Sequence, residues 1–241
     1  MMDINNIPYL TTDQMIEVDQ LMVDVYGIQL VQMMENAGRH LADLARTRFL
    51  DDDPFGQKVL VLAGSGGNGG GALVCARNLL NWGTDIQIVL SKPADNLSGV
   101  IKEQADILTK MGVPFRSIGD IKDVFLPDLI VDGIIGYSLQ GAPSGTAAKM
   151  INQANEYSAP ILSLDIPSGV NATTGEVCEP AIRASATMTL ALPKIGLMSA
   201  PDLVGDLFLA DIGVPPELYS HPSLNLQVGH IFKIESIIPL F

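Results

Sequence analysis

The sequence is short of positive charge: 14 Lys and Arg stand against 27 Asp and Glu, a net charge of −13. Contacts along a nucleic-acid backbone need clustered cations, so no nucleic-acid partner is expected. The richest basic grouping, Arg39 to Arg48, is diluted by Asp43. Cysteine is scarce too. Cys75 and Cys178 lie far apart and outside any CxxC, which reads as two free core thiols in a reducing compartment. His40, His221 and His230 have no Cys or His at zinc-ligand spacing. No apolar run reaches the about 18 residues of a membrane span. The opening MMDINNIPYL has neither the basic nor the continuous apolar part of a secretory leader. A cytoplasmic protein with no membrane partner is therefore expected. No Gly-Lys-Ser/Thr follows the glycine-rich segment, which excludes a P-loop, and no Gly-x-Ser-x-Gly is present, which excludes a nucleophile-elbow hydrolase.

What is present is apolar and periodic. Hydrophobic residues make up 47% of the 241, enough for a sizeable core. Residues 9 to 50 read as two helices. Thr11 or Thr12 can cap the first, whose Met15, Val18, Leu21, Met22 and Val25 recur at helical spacing, and Gly27 breaks it. The second carries Leu30, Met33, Met34, Ala37, Leu41 and Leu44 on one side. Its Glu35-Asn36-Ala37-Gly38 segment allows close helix approach and places Glu35 or Asn36 within reach of a site. From residue 58 strands and helices alternate, the mark of a parallel sheet with crossover helices. Strands are expected at 58–63, 86–90, 128–132, 160–164, 186–192 and 207–210, with helices near 71–82, 98–112 and 145–157. Several strands are unbroken apolar runs, as when both sheet faces are covered. No linker divides the chain, so 1–241 reads as one domain.

The segment Lys58 to Leu80 organises the rest. The apolar run Val59 to Leu62 meets six glycines within residues 64–71, and a helical pattern starts at Ala72. A backbone without Cβ atoms admits a close ligand, and the N-terminus of the helix favours an anion. In open parallel sheets ligands bind beyond the carboxyl ends of the strands. Those ends carry Asn68, Asp132, Asp165 with Ser168, and Pro193 with Lys194. Each has a plainer alternative: either aspartate can cap a turn, and a lysine after a proline is often a solvated surface residue. Asp165-Ile166-Pro167-Ser168-Gly169 is the more specific turn, expected to present Asp165 and Ser168 together. Asn68, Asp132 and Ser168 are all oxygen donors, suited to a hard cation. An ordinary nicotinamide dehydrogenase is disfavoured. Gly64, Gly66 and Gly69 fit G-x-G-x-x-G, but the acidic residue due about 20 positions on is replaced by Leu90-Ser91-Lys92.

The glycine loop, Val131-Asp132-Gly133-Ile134-Ile135-Gly136, Leu164-Asp165-Ile166-Pro167-Ser168-Gly169 with Asn171-Ala172-Thr173-Thr174-Gly175, Leu190-Ala191-Leu192-Pro193-Lys194-Ile195-Gly196-Leu197 and Leu209-Ala210-Asp211-Ile212-Gly213-Val214-Pro215 together resemble the YjeF N-terminal domain family, the NAD(P)HX epimerases. The resemblance runs from about Tyr9 to Pro215, leaving 216–241 as a C-terminal extension. His230 to Phe241 then forms an added strand or a dimer arm. The resemblance implies a Rossmann-like three-layer α/β/α sandwich with a mostly parallel central sheet and two N-terminal helices, commonly a homodimer. It implies an isomerase that interconverts the R and S forms of NADHX and NADPHX, hydrates of the reduced dinucleotides. In this metabolite repair a separate dehydratase restores the cofactor, and a potassium ion is the usual cofactor of the epimerase.

By matching positions, the resemblance makes Asn68, Asp132 and Ser168 potassium ligands. It makes Gly67, Asn68, Gly69, Gly70 and Gly71 one substrate-binding loop. Gly136, Tyr137, Ser138, Leu139, Gln140, Gly141 and Ala142 form the second, and Asp165 contacts substrate. Asp165 is taken as the catalytic residue, a general acid/base or a group that orients the water, with Lys194 supporting charge. Two departures stand out. The family's N-N-G-G-D-G is here Gly67-Asn68-Gly69-Gly70-Gly71-Ala72, without the first asparagine and the aspartate. The second loop reads Gly136-Tyr137-Ser138-Leu139-Gln140 where G-T-G-L and a basic residue are usual. These departures motivate an alternative, a non-catalytic nucleotide-binding module using the same cleft. An enzyme acting on another ADP-ribose compound is a third possibility.

Overall fold

A computed structural model describes residues 7–119 and 125–241; most of the segment read for a leader, 1–6, lies outside it. Thr11 caps helix α1 (Thr12–Asp24). Its hydroxyl accepts from the Gln14 amide, and the Gln14 side chain accepts from the Thr11 amide, so two end donors are satisfied reciprocally. Gly27, at φ 69°, turns the chain into α2 (Leu30–Phe49). Then follow β1 (Lys58–Ala63), α3 (Gly67–Asn81), β2 (Asp85–Leu90), α4 (Val100–Lys110) and β3 (Phe115–Arg116). Next are β4 (Leu129–Gly133), α5 (Gly145–Glu156), β5 (Ile161–Leu164) and β6 (Ala186–Leu190), and last α6 (Pro201–Val204), β7 (Asp206–Ala210) and β8 (Ile237–Pro239).

The eight strands form one sheet in the order β3-β2-β1-β4-β5-β6-β7-β8. All neighbours are parallel except β8, which runs antiparallel to β7. The expected sandwich is therefore present. In β1, Val59, Val61 and Ala63 pack with Leu41, Leu73 and Ala76 on one face, while Leu60 and Leu62 pack with Met150, Ile151 and Ala154 of α5 on the other. A strand buried on both faces has no polar side to show, hence its unbroken apolar run. Helix α1 lies further along, its Met15, Val18 and Met22 packed with Leu209, Ile212 and Leu218.

Two expectations change. Helix α3 starts at Gly67, not Ala72, so most of the glycine loop is helix. Those glycines serve packing: a Cβ on Gly70 would lie 2.4 Å from the Met34 Cε, and one on Gly38 2.4 Å from the Val74 Cβ. Small residues let α2 and α3 cross closely, and that advantage outweighs their weak helix propensity. Cys75 is buried as expected, but Cys178 is half-buried. Residues 237–239 form the edge strand β8, as the added-strand alternative expects. Among the described residues no helix is long and apolar enough to cross a membrane.

Candidate active site

The chain leaves β1 toward one edge of the sheet and β4 toward the other, so the loops after β1 and β4 flank the topological switch point, where α/β sheets open a crevice. The two loops touch. The Gly64 amide donates to the Gly133 carbonyl at 2.9 Å, and a Cβ on Gly64 would fall 1.8 Å from the Ile134 oxygen. No other residue fits there. A groove of about 610 Å³ opens above this contact, edged by Ser65, Gly67, Asn68, Gly136, Tyr137 and Ser138. The first amides of α3 border it, a setting that favours anions.

Beneath the groove lies a smaller cavity of about 130 Å³. Met15, Leu30, Met33 and Met34 of α1 and α2, with Gly71 of α3, form its helical walls, and Leu164, Asp165 and Leu190 its sheet wall. Asp165 ends β5 in the left-handed region, φ 69°, a conformation that a non-glycine residue holds only when its surroundings impose it. They do. Its Oδ1 accepts from the Leu190 amide at 3.2 Å and from the Lys194 ammonium. Lys194 is fully buried; its Nζ also donates to the Leu190 carbonyl at 2.8 Å. It sits behind Asp165 and is no surface lysine. Buried charges are tolerated when paired and hydrogen-bonded, and this pair is both. The chain around Lys194 is held by Leu10, whose amide donates to the Pro193 carbonyl and whose carbonyl accepts from Ile195.

Asp132 occupies a different setting. Its Oδ1 accepts from the Ser168 hydroxyl at 2.6 Å and the Ile134 amide at 3.1 Å; its Oδ2 accepts from the Ser163 hydroxyl at 2.8 Å and the Ser168 amide at 2.9 Å. Burial pushes its carboxyl above the usual range, and these four donors oppose that. The Ser168 hydroxyl also accepts from the Ile135 amide at 2.8 Å. Asn68 donates from Nδ2 to the Leu164 carbonyl at 2.7 Å. Its Oδ1 consequently faces Gly136, where a Cβ would come within 2.4 Å. Asn68, Asp132 and Ser168 thus bracket one loop.

The turn after β5 therefore separates Asp165 from Ser168 instead of presenting them together: Asp165 faces the cavity and Ser168 faces Asp132. Of the glycine loop, Gly67, Asn68 and Gly71 border open space, whereas Gly69 and Gly70 are buried in packing. Gly136, Tyr137 and Ser138 edge the groove, and Gln140, Gly141 and Ala142 are exposed beyond it. Glu35 and Asn36 do not serve the site. Glu35 pairs with Arg77 and accepts from Gln104, and Asn36 donates to the Ile212 carbonyl.

Three functional positions escape the sequence pattern. Ser163 completes the Asp132 network. Thr173 accepts from the Thr12 amide at 2.8 Å and so ties the start of α1 to the turn beyond Ser168. Asp19 lines both cavity and groove. Its one signal was a carboxylate four residues after Met15, on the face of α1 that also buries Met15 and Met22.

The fold and site define an α/β sandwich with a cleft of about 610 Å³ at the switch point of its sheet. The family described as YjeF-related protein N-terminus matches residues 30–196, and this chain belongs to that family. It is 43% identical, over 90% of its length and 86% of the relative's, to the NAD(P)H-hydrate epimerase of Dehalogenimonas lykanthroporepellens. It is 34% identical to the bifunctional NAD(P)H-hydrate repair enzyme Nnr of Moorella thermoacetica, over 91% of this chain and 43% of that enzyme. The chain thus spans less than half of that bifunctional relative. The crystal structure of yeast ynu0 shares the fold, with a TM-score of 0.80 over 96% of this chain and 99% of that one, at 23% identity.

Proposed function

We propose that the chain is an isomerase that interconverts the R and S forms of NADHX and NADPHX. The observation that carries this reading is Asp165, held by Lys194 in a left-handed backbone at the floor of an apolar cavity just large enough for a ring. The names of relatives that match nearly end to end support it. The groove lined by the α3 N-terminus takes the pyrophosphate and the cavity takes the hydrated nicotinamide. Inversion there breaks one C–O bond and makes another on the opposite face. Asp165 transfers the proton, and Lys194, which does not reach the cavity, acts by positioning it. A positioned acid/base residue contributes about 10²–10⁴-fold. The test supplies the R hydrate with an S-specific dehydratase and follows recovery of NADH. Acceleration by this protein is the expected result. Nucleotide binding without acceleration would instead favour the non-catalytic module, the reading that Gly67 and Gly71 motivate.

Asn68, Asp132 and Ser168 would hold the potassium ion. Three oxygen donors of different charge around one loop suit a hard cation, with Asn68 Oδ1 left free by its amide's bond to Leu164. A bound ion would supply positive charge beside the phosphate groove of an acidic protein. Potassium chloride is expected to raise the melting temperature above that in an equal concentration of tetramethylammonium chloride, by the linkage of binding to stability. In the Asp132→Asn variant the two salts should give the same value. A functional link to a separate dehydratase, a homodimer and the cytosol are part of this reading and rest on the family resemblance; the relative named a bifunctional NAD(P)H-hydrate repair enzyme supports the first of them.

A further inference from the structure

We propose that Asp19 is the second proton-transferring residue of this site, working from the helical wall of the cavity against Asp165 on the sheet wall. The inference rests on the epimerase reading and adds a residue that no motif marks. Both carboxylates border the same cavity of about 130 Å³, yet each has a different partner. Asp165 is bound by the buried, cationic Lys194. Asp19 instead accepts the Tyr137 hydroxyl at 2.5 Å on Oδ2, leaving Oδ1 for a ligand. Two carboxylates in opposed environments are what a reaction with one acid and one base requires.

The groups facing Asp19 are Tyr137, Lys194, Asp165 and Tyr219. Burial raises the Asp19 carboxyl above the ordinary carboxylate range; the Tyr137 hydrogen bond and Lys194 oppose this, and Asp165 adds to it. Burial and the Asp19 carboxylate together push the Tyr137 phenol up, so it remains a donor. Tyr219 is shifted the same way by burial, Asp211 and Asp19. Backbone contacts keep the two walls in register. Thr12 donates to Thr173, the Thr12 hydroxyl to the Tyr137 carbonyl at 3.4 Å, and Leu10 bridges Lys194.

The chemistry balances as follows. Protonated Asp19 gives its proton to the hydroxyl on the hydrated carbon. The C–O pair leaves with that oxygen as water, while the lone pair of the adjacent ring nitrogen forms an N=C double bond. A water on the other face then adds its oxygen pair to the carbon, and the N=C π pair returns to nitrogen. The surplus proton of that water passes to the Asp165 carboxylate. One carbon is inverted, and one proton has moved from Asp19 to Asp165. Exchange with solvent through the groove, onto which Asp19 also opens, resets both groups. The reverse conversion retraces the same steps.

The experiment measures interconversion of the resolved R and S hydrates against pH for the wild type, Asp19→Asn and Tyr137→Phe. Wild-type rate should fall as pH rises through the Asp19 ionisation. Asp19→Asn should lose about 10²–10⁴-fold in rate and lack that high-pH fall altogether, while thermal shift with NADPH still reports binding. Tyr137→Phe removes a hydrogen bond that favours the carboxylate, so its high-pH fall should move upward in pH. If Asp19→Asn does not fold, the direction of the Tyr137→Phe shift decides. An Asp19→Asn rate within threefold of wild type, an intact high-pH fall in that variant, or an unmoved fall in Tyr137→Phe would overturn the proposal. A wild-type protein that fails to interconvert the hydrates overturns the epimerase reading itself, a separate result.

Discussion

Asp165→Asn is expected to lower R-to-S conversion by about 10²–10⁴-fold and, unlike most active-site substitutions, to destabilise the fold as well. The reason is Lys194, fully buried with the Asp165 carboxylate as its anionic partner. An amide in that place can still accept through its oxygen but carries no charge, so the buried ammonium keeps only neutral acceptors there, with the Leu190 carbonyl at 2.8 Å and Thr189 at 3.5 Å. Removing one member of a buried ion pair typically costs about 3–5 kcal/mol. The double variant Asp165→Asn with Lys194→Met separates the two effects. Without either charge the buried site needs no counter-ion, so stability should return toward wild type while activity stays lost. Urea midpoints and chiral separation of the hydrates measure the two quantities independently. A single Asp165→Asn variant with the wild-type rate would refute the catalytic role. Wild-type stability in that variant would mean that the buried Lys194 does not depend on the charge of Asp165.

Gly64→Ala and Gly67→Ala are expected to move stability in opposite directions, although they stand three residues apart in one glycine-rich segment. A Cβ at 64 would meet the Ile134 carbonyl oxygen at 1.8 Å. Both sides of that contact are backbone, each tied to a strand end by the Gly64–Gly133 hydrogen bond, so no side chain can swing aside. Overpacking usually costs about 1–3 kcal/mol and more where nothing can give; Gly64→Ala belongs at the upper end or beyond. It should also close the crevice and abolish nucleotide binding. At Gly67, the first residue of α3, a Cβ would have nothing within 4 Å. Alanine there lowers the entropy of the unfolded chain and suits the helix, a gain of up to about 1 kcal/mol. Denaturant unfolding of the two variants beside wild type tests both signs. A tolerated alanine at 64 would mean that the β1 and β4 loops part easily.

Much of this molecule is legible in one dimension. The run Val59 to Leu62 had to be a strand covered on both faces, because four successive apolar side chains point alternately up and down. The Met15, Val18 and Met22 spacing and a threonine cap at 11 or 12 locate the start of α1 to within a residue. The two short edge strands were not legible as such, because two or three residues carry no period. The helix boundary at Gly67 was misplaced because glycine favours loops locally, whereas the crossing partners Met34 and Gly38 of α2 lie far away in sequence.

The same division holds for the site. Strand ends followed by Asp132, Asp165 and Lys194 are written in the sequence, because a parallel sheet brings all its carboxyl ends to one rim. What each group does there depends on neighbours. Position alone could not tell a solvated lysine from the buried partner of Asp165, nor a cavity-facing aspartate from one satisfied by Ser163, Ser168 and Ile134. Asp19 and Tyr137, separated by 118 positions, meet only because α1 lies across the end of the sheet. By itself the sequence determined the elements, their order and the rim, since hydrophobic period and turn chemistry are local. Burial and pairing of charges arise from contacts between distant segments, so which carboxylate meets Lys194, which meets Tyr137 and which is ringed by Ser163, Ser168 and Ile134 was decided by the tertiary structure alone.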